Sequence, residues 1–172
     1  MTNLQKNKEY AKSFSEYLLQ NEWCKFVTLT TQYELTLNSA RRLAGRFYKN
    51  LCTKVFPGCK PKFFWVAERF ECKDGYHLHG LLWYSKEWYP EGCNIVEVLD
   101  ATYQEAAGSG FFIVALIIPG MFNLVQESDE KINPAQIHKF RCSFSEYDTK
   151  KAGARYCTKY LLKKYSDYEI LY

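Results

Sequence analysis

No apolar run in this chain is long enough to cross a bilayer as a helix. The longest, Phe111 to Pro119, falls well short of the roughly 20 residues a span needs and reads as a buried strand. A Gly-rich loop ending in Lys-Ser/Thr is also missing, which argues against a nucleotide-hydrolysing module. No repeat, linker or low-complexity tract breaks the 172 residues, so a single domain over 1–172 is expected. The opening stretch, Met1 to Gln20, is polar and charged, unlike a secretory leader. The seven Cys are odd in number and irregularly spaced. Together these predict reduced thiols in a cytoplasmic compartment and no membrane partner. Histidine is scarce, with three in the whole chain.

What is present suits a folded chain. Apolar residues make up 47% and aromatics 17%, including 14 Tyr and 12 Phe. Such rings serve a core, and they also serve stacking on bases. The formal net charge is a mild +4, which allows a nucleic-acid partner without requiring one. The cations are clustered, however. Arg41, Arg42, Arg46 and Lys49 form one group, and Lys150, Lys151, Arg155, Lys159, Lys163 and Lys164 form another. Arg41, Arg42, Arg46, Arg155 and Lys163 are the candidates for holding a phosphate backbone. The alternative for each cluster is a solvated helix face.

Periodicity predicts a mixed α+β chain. Residues 3–21 carry apolar positions at helical spacing. Residues 24–31 alternate and are rich in β-branched side chains, so they read as a strand. Asn38 is the expected N-cap of a helix over 39–52, and Pro57-Gly58 turns the chain. Strands are expected over 62–71 and 76–84, joined by a turn at Lys73-Asp74-Gly75. Asn94 and Glu97 read as a capping pair that opens a helix to about Ala107, stopped by Gly108. Further strands are expected at 111–118 and 138–145, and a last helix from Lys150 to Tyr165.

Two of the three histidines, His77 and His79, lie two apart on a predicted strand. Strand alternation points both imidazoles to one face and Leu78 to the other. Two adjacent imidazoles can share a divalent ion. Glu68 lies on the partner strand with a parity that lets it join them, and Glu71 is the runner-up ligand. Imidazoles plus a carboxylate, with positions left open, suit Mg²⁺ or Mn²⁺ in phosphoryl chemistry. On the last helix Tyr156 and Tyr160 are four apart and share a face, with Lys159 and Lys163 alongside. A phenol is a poor nucleophile at neutral pH unless a metal or a lysine stabilises its anion. The competing readings are a structural zinc site built from Cys72, His77, His79 and Cys93, and a single-stranded nucleic-acid-binding module without catalysis. His138 has no evident partner and reads as structural or solvent-exposed.

The order of these segments resembles the HUH endonucleases, specifically the rolling-circle replication initiators. Phe26-Val27-Thr28-Leu29-Thr30 resembles their first motif, and Tyr76-His77-Leu78-His79-Gly80-Leu81-Leu82 the second. Tyr156-Cys157-Thr158-Lys159-Tyr160-Leu161-Leu162-Lys163 is similar to the third motif in its two-tyrosine form. Arg141-Cys142-Ser143-Phe144 and Gly153-Ala154 resemble the same group. The resemblance implies a central antiparallel sheet of about five strands flanked by helices, of the HUH or RRM-like kind. It implies a metal held by His77, His79 and Glu68, with Tyr156 and Tyr160 as nucleophiles and Lys159 assisting. The implied substrate is a single-stranded DNA origin, and the implied partners are a host replication helicase and polymerase. A transposase or relaxase of the same superfamily is the nearest alternative. The match departs from the family over residues 85–137, which carry no alignable motif, and in the helix within residues 1–22. No helicase domain is expected within the chain.

Overall fold

The computed structural model describes residues 3–31, 33–71, 73–108, 143–148, 153–161 and 166–172. The expected strand at 111–118, His138, Cys72, Lys163 and the outer turns of the last helix lie outside these residues. The described elements are α1 (Asn3–Leu19), β1 (Lys25–Leu29), α2 (Leu37–Asn50), β2 (Lys62–Arg69), β3 (Tyr76–Trp83), α3 (Ile95–Ala107), β4 (Ser143–Glu146), α4 (Gly153–Tyr160) and β5 (Tyr168–Leu171). The protein is α+β. Its five described strands form one antiparallel sheet in the order β4-β1-β3-β2-β5. The first four strands and α2 and α3 follow the split βαβ arrangement, and β5 extends the sheet beyond β2.

Alternation sorts the strand side chains into two packed layers. Val27, Leu29, Phe63, Trp65, Leu78 and Leu82 point to one side, where Leu43 and Phe47 of α2 and Leu99 and Tyr103 of α3 cover them. Phe64, Val66 and Leu81 point to the other side, beneath Leu18 of α1 and Ala154, Cys157 and Tyr160 of α4. Full burial of one such side chain stabilises the fold by roughly 1.5–3 kcal/mol. Both layers are therefore substantial, and this packing holds α4 to the sheet.

Local capping differs from the expected pattern in two places. α2 is capped by Thr36, not Asn38. Its hydroxyl accepts from the Ser39 N–H at 3.2 Å, while the Thr36 N–H donates to Ser39 Oγ at 2.7 Å. This reciprocal box satisfies two backbone donors and leaves Asn38 inside the first turn. Asn94 does precede α3, but its side chain makes no capping bond. Its backbone (φ −78°, ψ 86°) departs from the extended conformation that Thr36 adopts (φ −81°, ψ 165°). Gly108 ends α3 at φ +72°, as a left-handed C-terminal glycine does.

The β2–β3 connection is wider than a tight Asp-Gly turn. β2 ends at Arg69, which pairs with Tyr76, and the Phe70 N–H donates to the Gly75 carbonyl at 3.0 Å. The loop thus spans residues 70–75, with Gly75 at φ +94°. β5 has no counterpart among the predicted elements. It is tied to α1 by Tyr10–Tyr168 and Tyr17–Tyr172 hydroxyl contacts of 2.7 and 3.0 Å.

Gly80 lies at the centre of β3, paired with both Val27 and Trp65. A Cβ there would come within 2.6 Å of the Phe64 carbonyl oxygen and 2.7 Å of the Phe63 ring. Gly80→Ala is therefore expected to destabilise by roughly 1–3 kcal/mol. Gly45, within α2, has open space around the same position, and Gly45→Ala is expected to stabilise by about 0.5–1 kcal/mol. Denaturant midpoints of the two variants should move in opposite directions.

Candidate metal centre and the tyrosine helix

β3 is hydrogen-bonded to β1 on one side and β2 on the other, so its residues meet neighbours from both. His77 pairs with Glu68 of β2, and His79 pairs with Thr28 of β1 and Val66 of β2. All these side chains leave the sheet on the side covered by α4. Three ligand atoms converge. His77 Nε2 lies 2.8 Å from His79 Nε2, and Glu68 Oε2 lies 3.1 Å from the first and 3.0 Å from the second. Glu68 and His79 are buried, at 8% and 6% exposure.

Hydrogen bonds alone do not account for this triangle. Each imidazole Nε2 directs its proton or its lone pair along one line in the ring plane. It cannot serve two partners at once. A shared cation serves all three atoms. An octahedral ion with bonds of about 2.1 Å has adjacent ligand atoms about 3.0 Å apart, close to the three observed separations. Glu68, His77 and His79 thus form a group that can hold a metal ion, with open positions left on it. Two imidazoles and a carboxylate accept several first-row divalent ions as well as Mg²⁺.

The ligands are supported from outside. Thr28 Oγ1 lies 3.2 Å from His79 Nδ1. With Nδ1–H donating to Thr28, Nε2 keeps its lone pair for a cation. The Phe70 ring lies 4.6 Å from that of His77, and the Phe26 ring 5.9 Å from that of His79. Burial, and next the neighbouring His77, push the His79 pKa down to about 4, against the pull of Glu68. At neutral pH His79 is therefore an uncharged donor, the form a metal requires.

α4 brings its tyrosines onto the same group. The Tyr156 ring stands at right angles to that of His79, 5.1 Å away, and 39% of Tyr156 is exposed. Tyr160 is buried, with its ring nearly parallel to that of His79 at 5.6 Å. Burial and hydrogen bonds to Tyr156 and Glu68 push the Tyr160 phenol up. Its O–H is thus a donor to the Glu68 carboxylate. Lys159 Nζ sits 4.6 Å from the Tyr156 ring and 4.8 Å from the Tyr160 ring.

The other candidates fall elsewhere. Glu71 is exposed beyond the end of β2 and is not part of the ligand group. Among the described residues, Cys93 is not part of it either. Arg41, Arg42 and Arg46 ride on α2, which covers the opposite side of the sheet. Arg41 is bound by both carboxylate oxygens of Asp167 at 2.8 and 3.0 Å. Arg46 donates to the Ala106 carbonyl at 2.8 Å and so ties α2 to α3. Arg155 is exposed on α4. The role of Thr28 beside His79 went unread in the sequence, since it depends on the β1–β3 register.

No protein-family model, no curated protein and no solved structure matches this chain. No described helix is long and apolar enough to cross a membrane.

Titration calorimetry with Mn²⁺ should give one site per chain, lost in His79→Ala and in Glu68→Ala. Thr28→Val should keep the site but weaken it by roughly 10–100-fold, the usual cost of removing a ligand's outer partner. Equal affinity in Thr28→Val and the parent protein would remove Thr28 from the centre.

Proposed function

We propose that the protein is a metal-dependent endonuclease of single-stranded DNA. In this reading it is a replication initiator that nicks and rejoins a strand at an origin through a 5′-phosphotyrosine. The observation that carries this is the meeting of an exposed tyrosine, Tyr156, with His79 of the Glu68–His77–His79 group. The order of the three sequence motifs supports it further.

A divalent ion, Mg²⁺ or Mn²⁺, bound by the two imidazoles and the carboxylate supplies Lewis-acid polarisation of a phosphate oxygen. Tyr156 Oη attacks the phosphorus in line and gives up its proton. The new P–O bond to Tyr156 forms as the P–O3′ bond breaks, and the departing 3′ oxygen takes up a proton. The strand is left with a free 3′-hydroxyl that can prime synthesis by a host polymerase and helicase. Lys159, against the rings of both tyrosines, stabilises the negative charge on the phosphate and the forming phenolate. Tyr160 holds Glu68. Acting as a second nucleophile, which would let the enzyme cut and rejoin by turns, requires its phenol to leave that carboxylate.

Incubating the protein with a single-stranded origin oligonucleotide and Mn²⁺ should give a covalent protein–DNA adduct, visible as a shifted band on a denaturing gel. Tyr156→Phe should abolish it, and an undiminished adduct in that variant would rule out Tyr156 as the nucleophile. Chelation should stop the reaction and added Mn²⁺ restore it. Tyr160→Phe should still form the adduct at saturating Mn²⁺ but need more metal to do so.

A further inference from the structure

α1 and α4 pack side by side, and a cavity of about 480 Å³ opens between them on the outer surface. Its rim carries Lys8 and Lys12 from α1 and Arg155 and Lys159 from α4, all exposed. Glu16 is the one acid among its lining residues and makes only a loose 4.0 Å pair with Lys12. Four cations against one carboxylate make a concentrated positive site in a molecule of low net charge. Ala11, Leu19, Ser15 and Thr158 complete its lining. The Thr158 hydroxyl is committed to the Arg155 carbonyl at 3.1 Å. Ser15 is buried, at 5% exposure, yet its Oγ has no hydrogen-bond partner among the described residues. A buried hydroxyl without a partner is costly, and one beside a ring of cations suits an anionic oxygen.

Lys159 links this cavity to the tyrosines. It lines the cavity and also stands over the Tyr156 and Tyr160 rings. Arg155 and Lys159 are four apart on α4, one face over from Tyr156 and Tyr160.

We infer that the α1–α4 cavity binds a backbone phosphate of the single strand next to the one cut at Tyr156, with Lys8 and Lys12 reaching it from α1. The inference rests on the nuclease reading above. It makes α1, which the motif resemblance does not reach, a part of the substrate path. A site of this kind grips the backbone and carries no base preference.

The test is fluorescence anisotropy with labelled oligodeoxythymidylate in EDTA, so that binding is measured without metal or cleavage. The double variant Lys8→Ala/Lys12→Ala should bind several-fold more weakly than the parent. Its slope of log affinity against log salt should be shallower by about 0.7 for each phosphate that the variant no longer neutralises. Lys8→Arg/Lys12→Arg should restore both. Lys49→Ala, an exposed charge on α2, should bind like the parent. Unchanged affinity and slope in the alanine pair would overturn the inference, as would a parent protein that does not bind the oligonucleotide. Binding that depends on Lys8 and Lys12, with no adduct in Mn²⁺, would keep the cavity and sink the nuclease reading. An adduct formed equally well by the alanine pair, with unchanged binding, would do the reverse.

Discussion

The register of β3 between its two neighbours is the constraint on which the rest depends. Pairing Glu68 with His77 and Thr28 with His79 brings a carboxylate, two imidazoles and a hydroxyl to one place. A slip of one residue would turn every β3 side chain to the opposite side and bury the histidines under α2 and α3. Two features hold the register. The alternating apolar residues of β3, Leu78 and Leu82 on one side and Leu81 on the other, are fully buried. Gly80 lets β2 approach so closely that no side chain fits there. The centre is therefore a product of the sheet's core packing, built on paired strands.

The two sides of the sheet divide the work. The side under α2 and α3 is a continuous apolar layer. On the other side the apolar layer runs through Leu81, Phe64 and Val66, then gives way to Glu68, His77 and His79 toward the β2–β3 loop. α4 straddles that boundary. Cys157 is packed among apolar residues, while Tyr160 reaches the Glu68 carboxylate and Tyr156 stays open to solvent. The described turns of α4 pack through Ala154, Cys157 and Tyr160. Its docking on the sheet is what presents the tyrosines.

Strand parity made the ligand set legible in the sequence, because a period of two carries no ambiguity once a strand is assigned. His77 and His79 share a side, Leu78 opposes them, and Glu68 has the matching parity. The loop width was less legible. An Asp-Gly pair suggests a tight turn, whereas the observed loop begins at Phe70 and sets which β2 residue meets His77. Asn38 was the expected cap, whereas Ser39, able to return the bond, selects Thr36. β5 was invisible because its four residues become a strand through partners far away in the chain, β2 and the α1 tyrosines. The cationic cavity is illegible for the same reason: α1 and α4 meet only in space.

Charge and protons give the centre its remaining logic. Glu68 brings a carboxylate into a nearly closed site, which is costly without compensation. His79 does not supply that charge at neutral pH, since burial, and next the neighbouring His77, keep it unprotonated. Lys159 is near enough to oppose His79 protonation further, yet it stands over the tyrosine rings and not against the carboxylate. Tyr160 contributes a hydrogen bond but no charge. A metal ion can supply compensating positive charge at the point where three ligand atoms already lie about 3 Å apart. The same accounting explains why Tyr156 and Tyr160 differ. Tyr160 is enclosed and bound to Glu68, so its phenol holds its proton. Tyr156, beside Lys159, stays open to solvent.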